Sequence, residues 1–290
     1  MIERARRLLY GRRKGPKLSA HQQHLLDYLL PQFELHLRAG ADPRTYFSPP
    51  PGGEAGSRSE ARESVFAKTS DPGGGQIQDV WLEVGFGGGE HLIWQAQHYP
   101  KVGLIGAEPY VNGVVKLLAR LEAPTPSRSP SARDLPRSGG GKERAAISSP
   151  CKGQDDPPSG SGGGHFSNIR IYTGDARDII EALPDGSLGR VFILFPDPWP
   201  KTRHHKRRFI QVAMLDQLAR VQEPGAELRF ASDDAGYVEW TLERLMAHPA
   251  FEWSAMRASD WNTRPEDWPP TRYEAKELHG KPVFLRFRRR

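Results

Sequence analysis

Short apolar runs alternate with segments of helical periodicity through most of this 290-residue chain, and that alternation restricts the fold more than any other feature. Five such runs are each followed by a helical segment, at residues 80–84, 102–107, 168–172, 191–194 and 226–231. Two more lie late in the chain, at residues 251–253 and 283–287. Strands that alternate with helices build parallel sheets, whereas the late pair favours an antiparallel edge. We therefore predict an α/β fold: a doubly wound, mostly parallel seven-stranded sheet with an antiparallel edge strand.

Two stretches with few apolar residues interrupt this pattern and define the predicted domain organisation. Residues 1–37 are expected to form a basic N-terminal arm with a short helix, which Ser19 would cap and Pro31 would end. Residues 38–75 are rich in Gly, Pro and Ser and are predicted to be a flexible linker. Residues 76–290 would form the folded domain, with a disordered surface insertion at about 123–165.

Composition restricts the class of protein. The net charge of +6 favours an anionic partner, although charge alone does not separate nucleic acid from an acidic membrane surface. Cys151 is the single cysteine, so neither a disulfide framework nor a CxxC zinc site is possible, and no metal site is predicted. No apolar segment approaches the roughly 20 residues that cross a bilayer, and the basic N-terminus lacks the apolar stretch of a secretory signal. We therefore expect a cytoplasmic protein without a membrane partner.

The clearest cofactor signal is a glycine-rich turn between the first strand and its helix. Gly85 to Gly89 would let a ligand approach the backbone closely, and Glu83 lies just before them. A second acid, Glu108, ends the next strand, where an acid that binds a ribose is expected. Residue 90 is Glu, so the GxGxxG pattern is not met, and S-adenosylmethionine, a nucleoside with its own positive charge, fits better than NAD. The alternatives are that Glu83 is a buried acid with a partner and that Glu108 only precedes a helix.

A third acid, Asp175, directly follows the third strand, and Ala176 opens the next helix. In that position a carboxylate can accept a hydrogen bond from an adenine amino group. The alternative is that Asp175 is simply the N-cap of this helix. The two helix starts therefore add Gly85, Gly87 and Ala176 to the three acids as cofactor-binding candidates.

The fourth strand ends in a turn in which three prolines, at positions 196, 198 and 200, frame an acid and a tryptophan. Proline fixes φ and cannot donate to a sheet, so the chain must leave the sheet and present Asp197, Trp199 and Lys201 at the end of a strand. The basic run that follows, Arg203 to Arg208, indicates a site that faces a polyanion. The alternative is a solvated basic loop in which Asp197 pairs with an arginine.

Six sequence motifs together resemble one known family. They are LEVGFGGGEHL, IGAEP, GDA, FPDPWPKTRHHKRR, ASD and TRYEAKELHG, all within residues 76–122 and 166–290. In this combination they resemble the bacterial tRNA (guanine-N7)-methyltransferases. The resemblance implies a Rossmann-like class I methyltransferase fold that binds S-adenosylmethionine through Glu83, Glu108, Asp175 and the region of Asp197.

The resemblance also implies roles in the reaction. Asp197 would be catalytic as well as cofactor-binding. Contacts with the substrate guanosine are implied for Lys201, Asp233, Thr271, Arg272, Tyr273 and Glu274. The implied reaction transfers a methyl group to N7 of a variable-loop guanine of tRNA (position 46 in tRNA numbering), which forms 7-methylguanosine. No obligate protein partner is implied, and both a monomer and a homodimer remain open.

Two other functions remain open from the sequence. One is a noncatalytic RNA-binding protein on the same fold, and the other is an S-adenosylmethionine-dependent methyltransferase of a protein or small metabolite. The intact acids and the glycine-rich turn argue against the first. The cationic segments argue against a small substrate, which requires no such surface.

Overall fold

Seven strands form one central sheet: β1 (Asp79–Val84), β2 (Val102–Ala107), β3 (Ile169–Tyr172), β4 (Leu188–Leu194), β5 (Gln222–Ser232), β6 (Phe251–Trp253) and β7 (Val283–Arg289). Their order across the sheet is β3-β2-β1-β4-β5-β7-β6. The first five strands are parallel, whereas β7 pairs antiparallel with both β5 and β6. The predicted sheet, mostly parallel with an antiparallel edge, is confirmed. The computed structural model describes residues 15–48, 76–122, 166–272, 274 and 280–290.

Helices cover both faces of the sheet. The helical segments are α1 (Ala20–His24), a π-helical turn (Leu25–Leu29), α2 (Leu30–Phe33), a 3-10 turn (Pro43–Tyr46), α3 (Glu90–His98), α4 (Val111–Glu122), α5 (Ala176–Ala182), a 3-10 helix (Thr202–Arg207), α6 (Val212–Val221), α7 (Ala235–Ala247) and α8 (Ser259–Asn262). Side chains of α3 and α4 pack on one face, and those of α5, α6 and α7 pack on the other. The sheet is therefore doubly wound. Among the residues that the structure describes, no helix combines the length and the apolar character that a membrane crossing requires.

Side chains along β1 show why two separate cores form. Val80 and Leu82 pack in the core on one face, while Trp81 packs with Phe192 in the core on the other. Successive side chains of a strand point to opposite faces, so a strand covered on both sides is apolar at nearly every position. Glu83 breaks this pattern while only 3% exposed, and it therefore requires a partner inside the protein.

The N-terminal helix begins as predicted but ends later. Ser19 caps it and forms a capping box with Gln22. The prediction that Pro31 ends the helix is wrong, because the helical segment continues to Phe33. Pro31 falls in the first turn of α2, directly after the π-helical turn, and a first turn tolerates the missing N–H of proline.

Part of the predicted linker is ordered. The 3-10 turn at Pro43–Tyr46 places Tyr46 and Phe47 in the core, where both are buried. The prediction of a linker that begins at residue 38 is therefore wrong for residues 38–48, because two buried aromatic side chains hold this stretch on the domain. Residues 1–14, 49–75 and 123–165, which contain the rest of the predicted arm, linker and insertion, lie outside the described residues.

Strand β5 is longer than predicted. It begins at Gln222 and not at residue 226, although Pro224 and Gly225 lie inside it. The pairing of β5 with β4 shifts register between Leu188 and Arg190. Such a bulge absorbs residues that cannot keep a regular ladder, so the proline and the glycine do not end the strand.

The sheet contains a switch point between β1 and β4. From β1 the connections lead outward to β2 and β3, and the chain then returns to β4 on the opposite side of β1. In open α/β sheets, ligands bind in the crevice at the carboxyl ends of such a pair of strands. Val84 ends β1 and Leu194 ends β4, so the turns that follow these two residues border this crevice.

Candidate active site

A cavity of about 940 Å³ lies at the carboxyl ends of the parallel strands. It contains six of the seven predicted cofactor-binding positions: Gly85, Gly87, Glu108, Asp175, Ala176 and Asp197. These residues come from four different strand ends, and the parallel sheet brings them to one edge. The predicted residues therefore meet at one cavity, and their roles in cofactor binding stay predictions.

Glu108 is fixed by backbone donors at both carboxylate oxygens. Gly87 N–H donates to Oε2 and Tyr110 N–H donates to Oε1, each at 2.8 Å. Gly87 reaches this position with φ of +58°, which favours glycine. Burial raises the pKa of Glu108; the two backbone hydrogen bonds oppose the shift, and the charges of Asp197 and Glu83 reinforce it. Each oxygen retains a lone pair that can accept from a hydroxyl group.

Carboxylates are concentrated around Glu108, although cations also line the cavity: Lys116, Arg177, Arg207 and Arg272. The carboxylates of Glu83, Glu108 and Asp197 lie close enough for Glu83 and Asp197 to affect the ionisation of Glu108. Such a group of acids repels phosphate and attracts a cation. This local field beside Glu108 suits a nucleoside that carries an amino group and a sulfonium.

Asp175 acts as the N-cap of α5. Its Oδ1 accepts from Arg177 N–H and its Oδ2 pairs with Arg177 Nη1, each at 3.0 Å. The capping alternative is therefore what the structure contains. Because a carboxylate has about four acceptor positions, these bonds leave room for an adenine amino group, and that role stays a prediction.

Glu83 is not among the residues that line the cavity. Its Oε2 lies 2.9 Å from Nδ1 of His91, and both side chains are almost fully buried. The alternative that Glu83 is a buried acid with a partner thus matches the contact. Glu83 directly precedes Val84 and Gly85, which line the cavity, and direct contact of Glu83 with a cofactor stays a prediction.

The proline-framed turn presents Asp197 to the cavity. Asp197 is exposed and lines the cavity together with Phe195 and Trp199. Phe195 and Trp199 have φ of +50° and +48°, a region in which a residue other than glycine costs about 1–3 kcal/mol. A turn that keeps two such residues is held by its surroundings, and Phe195 N–H donates to Ala231 O at 2.8 Å.

One cation of the basic run has a structural role. Arg208 is 2% exposed, and its Nε donates to the carbonyl oxygen of Pro198 at 2.8 Å. Its Nη1 donates to Gly236 O at 3.1 Å. The prediction that the whole run faces a polyanion is therefore wrong for Arg208, which fastens the proline-framed turn to the start of α7.

The predicted substrate-binding residues are not all brought together. Arg272 lines the cavity, whereas Lys201 is exposed beyond the turn and Asp233 lines a separate pocket. Thr271 Oγ1 accepts from Glu274 N–H at 3.3 Å, and Glu274 pairs with Arg264 at 3.0 Å. Tyr273 lies outside the described residues. These roles stay predictions.

The structure adds cavity residues that the sequence did not reveal. They include Tyr110, Lys116, Arg177 and Phe209, whereas Arg207, which also lines the cavity, belongs to the predicted basic run. Arg177 directly follows the predicted Asp175 and Ala176, so the first turn of that helix was a usable signal. Lys116 had none, because a lysine on a helix is usually solvated.

Gly113 offers a test of the Glu108 site. A methyl group on Gly113 would lie 2.6 Å from Gly87 O and 3.2 Å from Glu108 Cγ. We expect Gly113→Ala to displace both groups, since overpacking of this kind costs about 1–3 kcal/mol. Affinity for S-adenosylhomocysteine, measured by calorimetry, is expected to fall about tenfold.

Gly236→Ala is the matched control for Gly113→Ala. Gly236 also lies in a helix, and its added methyl would come no closer than 3.5 Å to Asp234 Oδ1. This control is expected to bind S-adenosylhomocysteine as the unchanged protein does. Equal affinities of both variants would show that Gly113 does not support the site.

The sequence of this chain is similar to those of known methyltransferases. The profile of a family described as "Putative methyltransferase" matches residues 78–284. A Rhodospirillum rubrum protein named tRNA (guanine-N(7)-)-methyltransferase is 43% identical over 289 residues, which covers 97% of this chain and 87% of the relative. A Paramagnetospirillum magneticum protein of the same name is 41% identical over 282 residues and covers 97% and 92%. A crystal structure of the 16S rRNA methyltransferase KamB is 16% identical, with a TM-score of 0.45, and covers 83% of this chain and 97% of that one.

Proposed function

This chain belongs to the tRNA (guanine-N7-)-methyltransferase family, and we propose that it methylates N7 of a guanine in the variable loop of tRNA with S-adenosylmethionine. The observation that carries this proposal is the position of Asp197. This exposed carboxylate lies at the carboxyl end of β4, on the same cavity as Glu108. One cavity can therefore bring a nucleoside cofactor and a guanine ring together.

The cofactor in this proposal binds between the ends of β1 and β2. When bound, S-adenosylmethionine supplies a methyl group on a positively charged sulfur atom. Glu108 would accept hydrogen bonds from the ribose hydroxyls, and Asp175 would accept from the adenine amino group. The turn at Gly85 to Gly87 would leave space beside the backbone, and the charge of Glu83 would favour a cationic ligand.

Guanine N7 carries a lone pair, so no base has to remove a proton before methyl transfer. The site must instead align N7 and stabilise the positive charge that develops on the purine. Asp197 would do both. Its oxygens can accept hydrogen bonds from the N1–H and amino hydrogens of guanine, and its negative charge stabilises the positive charge that develops on the ring. Asp197 is thus the proposed catalytic residue.

Exposed cations beside the turn support an RNA substrate. Lys201, Arg203 and Lys206 are exposed in and before the 3-10 helix that follows the turn. Cations in such a position bind phosphates and release counterions. We propose that Lys201 contacts the tRNA backbone and that Arg272 approaches the nucleotide from the cavity side. A cytoplasmic location belongs to this proposal, and the single cysteine agrees with it.

The experiment is to incubate the protein with methyl-labelled S-adenosylmethionine and an unmodified tRNA transcript, and then to map the labelled nucleotide. Label in 7-methylguanosine at position 46 is the expected result. A transcript with adenine at this position is the control and is expected to remain unlabelled. Label in another nucleotide would change the substrate, and binding of tRNA without any transfer would favour the noncatalytic alternative.

A further inference from the structure

A network of buried polar contacts leads from Glu83, which directly precedes the cavity residues Val84 and Gly85, to the segment that precedes Thr271 and Arg272. Nδ1 of His91 lies 2.9 Å from Glu83 Oε2, and Nε2 of His91 lies 3.1 Å from Nε2 of Gln95. The same Gln95 nitrogen donates to the carbonyl oxygen of Asp267 at 2.9 Å. Glu83, His91 and Gln95 are exposed by only 3%, 2% and 0%, so water does not replace these contacts.

The contacts determine the direction of each hydrogen bond. An amide nitrogen can only donate, so Nε2 of His91 must accept from Gln95. The single ring proton of a neutral imidazole then lies on Nδ1 and is donated to Glu83. If the Gln95 amide were turned over, its oxygen would face the carbonyl oxygen of Asp267, two acceptors in contact. The contact with Asp267 therefore fixes the orientation of the Gln95 amide, and this orientation fixes the tautomer of His91.

The far end of this network is a well-anchored segment. The Asp267 carboxylate lies 2.7 Å from Arg229 and 3.8 Å from Arg190. Burial opposes ionisation of Asp267, but the hydrogen bond and charge of Arg229, together with Arg190 and Arg286, hold its pKa below the ordinary value. The backbone of Asp267 is thus fixed from two sides, by Gln95 at its carbonyl and by the arginines at its carboxylate.

This segment also supports the turn that carries Asp197. Trp268 is 3% exposed and packs in a small apolar cluster with Ala231 and Phe284. Phe195, which begins the turn with its positive φ, packs against this cluster. A displacement of residues 267 and 268 would therefore move both the turn that carries Asp197 and the segment that leads to Arg272.

We propose that His91 and Gln95 are positioning residues that couple the cofactor cavity to the substrate-binding segment, His91 by orienting Glu83 and Gln95 by holding the backbone of Asp267. Neither side chain lines the cavity, so both act through other residues. The inference rests on the proposed function, because the coupled ligands are the cofactor and tRNA. Coupling between two ligands is reciprocal, so it can be measured from either side.

The test is the affinity for tRNA with and without saturating S-adenosylhomocysteine, measured by filter binding. In the unchanged protein we expect S-adenosylhomocysteine to strengthen tRNA binding about tenfold, within the usual range of coupling between sites. In Gln95→Leu we expect this ratio to fall to about 1, while affinity for S-adenosylhomocysteine alone changes less than about twofold. A purely structural residue would lower stability without abolishing the ratio.

Two variants of His91 separate its contact with Gln95 from its contact with Glu83. His91→Asn keeps a donor for Glu83 but cannot reach Gln95, so it should lose the coupling ratio and retain cofactor affinity. His91→Leu removes both bonds and should lose both properties. Gln97→Leu is the matched control, because Gln97 is an exposed glutamine of the same helix, and it should keep the ratio of the unchanged protein.

A second readout does not require tRNA. Binding of S-adenosylhomocysteine should slow amide hydrogen exchange in a peptide that covers residues 267–272 of the unchanged protein, but not of Gln95→Leu. Slowing in both proteins, or in neither, would overturn the proposal, as would an unchanged coupling ratio in Gln95→Leu. Absence of any tRNA binding would instead overturn the proposed function, and the exchange result would still decide the inference. If Gln95→Leu fails to fold, His91→Asn serves for both readouts.

Discussion

Replacement of Asp197 by alanine is expected to lower kcat by about 10³-fold, the size of effect seen when one preorganised electrostatic contact to a transition state is removed. The variant loses the acceptor for the guanine edge and also the charge that stabilises the methylated purine. Asp197 is exposed, so the substitution opens no cavity in the core and the protein should remain folded. The measurements are single-turnover methyl transfer to tRNA and calorimetry with S-adenosylhomocysteine.

Cofactor affinity separates the two roles assigned to Asp197. We expect it to fall by less than about tenfold, because Glu108 and the glycine-rich turn remain. Asp185→Asn is the control. Asp185 is also an exposed carboxylate on a turn, but it pairs with Arg220 and does not line the cavity. If turnover and cofactor affinity fell equally in Asp197→Ala, Asp197 would be a cofactor ligand and not the group that acts on guanine.

Replacement of Glu108 by glutamine is expected to weaken S-adenosylhomocysteine binding about 100-fold, since hydrogen bonds to a charged acceptor contribute about 1.5–3 kcal/mol each. A glutamine also places an NH2 group against either Gly87 N–H or Tyr110 N–H, both of which now donate to Glu108. The variant removes a charge that Asp197 and Glu83 repel, so its thermal stability should fall little. Calorimetry and thermal unfolding measure the two effects.

The raised pKa of Glu108 predicts how cofactor affinity depends on pH. The ionised form binds hydroxyl donors, so affinity should fall as the pH drops through this pKa, at higher pH than for an ordinary glutamate. Stability of the free protein moves in the opposite direction. A raised pKa contributes stability that is present below the unfolded value and lost as the pH rises through the folded value. A pH profile of affinity that is the same in Glu108→Gln would contradict this assignment.

The sequence predicted the sheet because strands buried on both faces must be apolar. β1, β2 and β4 are of this kind, and their predicted positions agree with the structure to within a few residues. The errors fall where local position or tertiary contacts override the sequence pattern. Pro31 lies in the first turn of α2, where the missing N–H of proline is tolerated, and Tyr46 and Phe47 pack on the domain although their neighbours resemble a linker.

The site could be predicted as far as strand ends determine it. Glu108, Asp175 and Asp197 each follow a strand, and parallel pairing places them on one cavity. Orientation could not be predicted in this way. Nothing in the spacing of Glu83 indicated that its carboxylate would meet His91, or that Arg208 would leave the basic run to bind the carbonyl of Pro198.

The position of β7 has a consequence for the order in which the chain is completed during translation. β7 pairs with both β5 and β6, and both of them precede it in the sequence. In a nascent polypeptide, the strand edges of β5 and β6 that bind β7 therefore stay unpaired until β7 has left the ribosome. Unpaired edges of this kind favour pairing with another molecule. Synthesis that stops within the TRYE motif, before β7 is made, would leave β5 and β6 without the strand that pairs with both, and this incomplete sheet would be prone to aggregate.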